Sequence, residues 1–317
     1  MTYRKWLSEL GLFYSAAVWG STFFVVKDTL ENINPIILVG YRFILAAILL
    51  AGFCLITKKP LFKNVKHGFL LGFFLWLLYI SQTVGLGITT ASNSGFITGL
   101  FVVFVPVFSL TVFKRMPSIT EFIATVISLS GLWVLTGGLR DINTGDLLTL
   151  IAAMTYAIHI LFADKYIKDG DDACMLSFLQ FTFVGAASLI TGAIFDLPFS
   201  VFETNTIWVI LFLALIPTLS AFVIQVVAQK FIEPLRVSLI LAFEPVFAAL
   251  FAWTLGSEQF IFHRAIGGFF IFLGMIISGI PTARTRERMP CRCEDLVEDY
   301  GEALKKSLIE VRAGQRV

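Results

Sequence analysis

Ten stretches of mostly apolar residues, each near the length that crosses a bilayer, follow one another along this chain of 317 residues. They run near Leu7–Val26, Pro35–Ile56, Gly68–Ile88, Asn93–Phe113, Thr120–Thr136, Asp146–Ala163, Ala173–Phe195, Thr206–Ala228, Arg236–Leu255 and Phe262–Ile280. Hydrocarbon accepts a backbone only when its N–H and C=O groups bond internally, and about 20 helical residues make one crossing. The fold class this predicts is an all-α membrane protein with ten transmembrane helices. Composition agrees, with 57% hydrophobic and 15% charged residues, whereas soluble domains carry roughly a quarter charged. Arg4 and Lys5 precede the first stretch as they would in a signal peptide. That stretch is too long for a signal core, so it reads as a retained span.

The basic residues set an orientation. Arg4, Lys5, Lys58, Lys59, Lys63, Lys66, Lys114, Arg115, Lys165, Lys168, Lys230, Arg236, Arg284, Arg286 and Arg288 fall on the side of the N-terminus, against Lys27, Arg140 and Arg264 opposite. Fifteen against three places both termini in the cytoplasm by the positive-inside rule, and a missed span would break the alternation.

The chain also looks duplicated. Phe104-Val105-Pro106-Val107-Phe108 matches Phe243-Glu244-Pro245-Val246-Phe247, Tyr79 to Gln82 parallels Phe222 to Gln225, and Trp19-Gly20 parallels Tyr156-Ala157. Each pair falls on equivalent spans of two five-span halves, residues 1–139 and 140–281. An odd number of spans per half turns the second copy upside down, which is a transporter design with its site near the midplane between the halves.

From Thr282 the chain becomes polar, with Leu296, Tyr300, Leu304, Leu308 and Val311 at helical spacing. A short amphipathic cytoplasmic helix within 282–317 is expected. Cys54, Cys174, Cys291 and Cys293 form no disulfide framework, and Cys291 with Cys293 lacks the further ligands a zinc site needs. No metal, cofactor, catalytic triad or phosphate loop is indicated, so an enzyme is not expected. Without a basic run interleaved with aromatics, neither is a nucleic-acid partner.

The motif order resembles a known family. Val18-Trp19-Gly20-Ser21-Thr22-Phe23, Tyr41-Arg42-Phe43, Thr89-Thr90-Ala91-Ser92-Asn93-Ser94-Gly95-Phe96-Ile97-Thr98-Gly99-Leu100 and the two Pro-Val-Phe segments are similar to the EamA-like branch of the drug/metabolite transporter superfamily, over about residues 7–280. The resemblance implies a ten-span inverted-repeat carrier in which spans 1–4 and 6–9 surround a cavity and spans 5 and 10 lie outside. It implies a substrate among amino acids, other metabolites or organic cations, often exported, and a place in the bacterial inner membrane. Related small multidrug carriers couple protons through a glutamate in mid first span. Here Ala17 stands there, and Glu9 lies too near the cytoplasmic end.

The candidate site residues each have two readings. Glu244, deep in the ninth span, is a coupling or ammonium-binding group, or an acid bracing the Pro245 kink. Arg42 binds a carboxylate or pairs with Glu244, or it snorkels and braces carbonyls. His159 shares a helix face with Tyr156 and relays protons or simply bonds a neighbouring helix. Trp19 and Tyr156 pack, or hold an apolar or cationic group. Tyr79, Gln82 and Gln225 face substrate or a helix. Asn93 and Thr98 open the fourth span, where N–H groups favour a carboxylate, or Asn93 or Ser92 merely caps it. Gly68/Gly72 and Gly95/Gly99 read as close helix contacts within one chain, so a homodimer is allowed but not required. The expected function is secondary transport of an amino acid or related small metabolite, with export of an organic cation or drug as the alternative and a membrane sensor or enzyme behind both.

Overall fold

The computed structural model describes residues 3–136, 143–201, 203–254, 262–278 and 280. The described residues through Ser278 belong to one compact unit. The expected tail helix, Cys291 and Cys293, and Arg140 lie outside the described residues.

Among the described residues all regular structure is helical. The order is α1 (Tyr3–Thr29), α2 (Pro35–Ile56), α3 (Val65–Ile88), α4 (Ala91–Gly99), α5 (Phe101–Thr111), α6 (Ile119–Thr136), α7 (Thr144–Lys168) and α8 (Ala173–Ile194). There follow α9 (Thr204–Leu213), a π-helical turn (Ala214–Ser220), α10 (Ala221–Ala228), α11 (Pro234–Leu241), α12 (Glu244–Thr254) and α13 (Phe262–Ser278). Among the described residues seven helical stretches, running from Tyr3 to Ala228, are long and apolar enough to cross a bilayer. The other three expected spans hold α6, α11 with α12, and α13, which are shorter.

Polar residues stop and start the helices. Asn34 caps α2 ahead of Pro35. Asn143 and Asp146 form a reciprocal capping box on α7, and Asp172 accepts the backbone N–H groups of Cys174 and Met175 at the start of α8. Each satisfies donors that a helix N-terminus leaves free. Lys27 donates to the carbonyls of Leu86 and Thr89 at 2.7 and 2.6 Å, holding the end of α3. The fourth span is capped by Thr90, whose hydroxyl accepts from the Asn93 N–H; this corrects the expectation of Asn93 or Ser92 as the cap.

Three expected single helices are interrupted, two of them beside a proline. The fourth breaks at Leu100 between α4 and α5, six residues before Pro106. In the ninth, α11 ends at Leu241 and Glu244 begins α12. Pro245 has no N–H for the Leu241 carbonyl four residues back, so the helix stops there. In the eighth, Pro217 would leave the Leu213 carbonyl bare. The chain widens to a π turn and the Thr218 hydroxyl donates to that carbonyl at 2.7 Å.

The two sequence halves pack into each other. Helix α3 lies on α7 and α8, α2 on α8, and α1 on α10 and α12, while α6 packs chiefly on α13. A Cβ on Gly68 or Gly72 would come within 2.3 Å or 2.6 Å of Leu179 or Phe183 on α8, so this glycine pair does permit close contact. Gly99 meets Leu132, but a Cβ on Gly95 would meet nothing within 4 Å, which corrects its reading as a packing position. Phe24, Ile48, Leu55, Ile56, Ile194 and Trp208 stand exposed on the outside of the helices. An apolar skin of that extent suits lipid rather than water.

Candidate functional site

The interrupted helices and the aromatic residues around them enclose one cavity. It holds about 540 Å³ of atom-free space, its open mouth included. Trp19 and Thr22 of α1, Arg42 of α2, Tyr79 and Gln82 of α3, Thr98 of α4, Tyr156 of α7, Phe222 of α10 and Glu244 of α12 line it. Neither α6 nor α13 contributes a wall.

Local sequence explains how each group is held. Gly20 lets α1 touch α12: a Cβ there would lie 2.5 Å from the Glu244 carbonyl oxygen. The neighbouring Trp19 indole N–H donates to the Pro217 carbonyl at 2.7 Å, which occupies a backbone acceptor in the π turn. Arg42 is 5% exposed, too buried to snorkel. Its Nε donates to the Thr218 hydroxyl and its Nη2 to the Tyr79 hydroxyl at 3.4 Å, with Cζ 4.8 Å from the Tyr79 ring centre. Gln82 donates to the Thr98 hydroxyl at 3.1 Å.

An arginine and a carboxyl group, Arg42 and Glu244, therefore face one cavity. Among the described residues no carboxylate lies within ion-pair distance of Arg42, and no hydrogen-bond donor or basic group reaches the Glu244 carboxylate. The expected pairing of Arg42 with Glu244 is not formed. An arginine fork recognises a carboxylate, a carboxylate recognises an ammonium group, and aromatic faces accept apolar or cationic surface.

The remaining expected site residues sit elsewhere. His159 Nε2 donates to the Gln180 amide oxygen at 2.8 Å behind the wall, and Gln225 accepts from the Tyr156 hydroxyl at 3.3 Å. Both are 0% exposed. Asn93 turns away to Asp146, 3.5 Å distant, which the Thr89 hydroxyl also reaches. Thr22, Thr218, Phe222 and Gln180 were not among the expected residues. The register between equivalent helices is the signal that finds Gln180: α2 and α8 are both 22 residues long, and Arg42 and Gln180 each stand eighth.

Buried charges and amides around a cavity where helices are interrupted, in a bundle with an apolar skin, are the build of a membrane transporter. Residues 6–137 and 143–280 match the EamA-like transporter family, and the chain belongs to it. An uncharacterized transporter of Archaeoglobus fulgidus is 32% identical over 283 residues, covering 86% of each chain. The uncharacterized transporter YoaV of Bacillus subtilis is 24% identical over 87% of this chain and 98% of its own. The uncharacterized inner membrane transporter YedA of Escherichia coli is 31% identical over 52% of this chain and 56% of its own. One solved crystal structure, 16% identical, superposes with a TM-score of 0.71 over 89% of this chain and 99% of that one, a likeness of fold.

Proposed function

We propose that the chain is a secondary carrier that moves a small zwitterion, an amino acid or close relative, out of a bacterial cell across the inner membrane by alternating access. The observation that carries this reading is that the Arg42 guanidinium and the Glu244 carboxyl, not paired with each other, share the walls of one aromatic cavity. A solute bearing both a carboxylate and an ammonium group neutralises both walls at once. A solute with one charge leaves the other wall bare.

Ten spans arranged as two inverted halves are part of the reading. Residues matched between the halves meet in pairs at the cavity: Trp19 and Tyr156 rings lie 6.3 Å apart, and Tyr79 and Phe222 rings 5.8 Å apart. Contacts between equivalents are what a two-fold axis through the cavity requires. The fourth and ninth spans, equivalent in the two halves, are both interrupted and both supply a cavity residue, Thr98 and Glu244. Interrupted helices at matching places point to the binding site in such carriers.

The ion pairs favour an outward-facing state. Glu9–Arg236 at 2.6 Å, Arg115–Asp164 at 3.4 Å, Lys168–Glu233 at 3.1 Å and Lys59–Asp172 at 3.2 Å, with the His67–Asp171 hydrogen bond at 2.7 Å, all lie at the end with the basic excess. No ion pair occurs at the other end among the described residues. Most of these pairs join one half to the other and close the cytoplasmic side.

Counterflow into proteoliposomes with the proteinogenic L-amino acids is the test. Uptake of at least one, lost on Arg42→Gln and on Glu244→Gln in folded protein, is the expected result. Uptake unaffected by both substitutions removes the reading. The aromatic walls favour a second reading, an organic-cation exporter. In that case Arg42→Gln removes a repulsion and cation transport rises instead of falling.

A further inference from the structure

We infer that His159, Gln180 and Gln225 form the inward-facing counterpart of the cavity, a second, uncharged site that takes over the solute's carboxylate when the cytoplasmic end opens. The inference rests on the carrier reading above and goes beyond it to name residues that do not line this cavity in this state.

Helix register leads to it. Trp19 matches Tyr156, so Thr22, three residues on, matches His159, three residues past Tyr156. Arg42 matches Gln180 through the equal lengths of α2 and α8, and Gln82 matches Gln225. Thr22, Arg42 and Gln82 all line the cavity, while their three mates are all 0% exposed. In a carrier built of inverted halves, one half rocks against the other and so changes the side that is open. The mates of the exposed residues then become the lining.

Unused hydrogen-bonding capacity is present at the same three, though not at them alone among the described residues. His159 Nδ1, Gln180 Nε2 and Gln225 Nε2 are buried and have no partner. A buried polar atom without a partner is rare in native structures and unfavourable. Three of them on facing helices are explained if another conformation supplies the partner. The two amide N–H₂ groups are donors, and so suit a carboxylate. They carry no charge, so the solute is held more weakly facing inward than at Arg42. Gln225 is next to the cavity through Tyr156, and the Glu9–Arg236 pair lies at the cytoplasmic end.

Thiol labelling tests this without knowledge of the solute. In full-length protein with Cys54, Cys174, Cys291 and Cys293 replaced by alanine, Gln180→Cys is exposed to a membrane-impermeant charged methanethiosulfonate on the cytoplasmic side. Leu71→Cys is the control, since Leu71 is equally buried at similar depth on α3. Thr22→Cys, labelled from the opposite side, reports the cavity itself. Position 180 is expected to label at least about tenfold faster than position 71, and several-fold faster again with Glu9→Gln. Labelling at 180 no faster than at 71, with Thr22→Cys reactive from outside, overturns the inner site and leaves the carrier reading standing. An inert Thr22→Cys overturns the carrier reading itself, and the inner site with it. Should Gln180→Cys fail to fold, His159→Cys is read against the same control and the same outcomes.

Discussion

At the scale of single residues, the cavity wall is tied to the π turn around Pro217 by side-chain hydrogen bonds. That of Trp19 is the clearest. Trp19→Phe keeps the ring but strips the Pro217 carbonyl of its donor, and the protein is expected to lose about 1–3 kcal/mol, read as a lowered melting temperature in detergent. Arg42→Lys keeps the charge but cannot hold Thr218, Tyr79 and a carboxylate together. The expected rise in KM is about tenfold, equivalent to roughly 1.4 kcal/mol, measured in proteoliposomes. Trp19, Tyr79, Gln82, Thr98, Tyr156, Glu244 and Arg42 were legible as candidates because polar or aromatic residues inside apolar helices stand out. Their arrangement was not legible. Nothing in the local sequence says that His159 and Gln225 lie behind the wall while Arg42 and Glu244 share it. That depends on how far each helix is rotated, which long-range packing decides.

At the scale of elements, glycine contacts and caps set where the walls stand. Gly20→Ala forces a methyl group to within 2.5 Å of the Glu244 carbonyl, so α1 and α12 must separate. A cost of about 1–3 kcal/mol and a displaced Glu244 follow, and transport is expected to fall more than expression. Asp172 caps α8 and pairs with Lys59 at 3.2 Å. Burial pushes its carboxyl up, but the N–H groups of Met175 and Cys174 and the Lys59 ammonium outweigh it, holding the carboxyl below its ordinary value. Its contribution is therefore complete above the ordinary carboxylate range and is lost as pH falls through the lowered value. Asp172→Ala is expected to cost about 1 kcal/mol near neutral pH, a difference that shrinks in acid, as melting curves at several pH values would show. The helices themselves were legible from length and apolarity. The break at Leu100 and the π turn were not, since Pro106 and Pro217 signal a disturbance without saying whether the chain breaks or widens.

At the scale of the whole molecule, charge placement and duplication make the long-range predictions. A fluorescent protein fused after Val317 should be bright and alkaline phosphatase at the same place inactive, because both termini are expected in the cytoplasm; the reverse pattern contradicts that orientation. Removing residues 285–317 should leave transport intact, and its loss would favour a sensor whose output is the tail. The register between α2 and α8 has one more consequence. Were the two halves identical chains, a second arginine would stand at Gln180 and a second glutamate at Val105, the mate of Glu244. The bundle would present like charges to itself, and a solute could enter either way round with equal ease. One continuous chain with two diverged copies lets each charge occur once. On the carrier reading proposed above, the cavity thereby acquires a head and a tail, and a zwitterionic cargo travels in a single orientation.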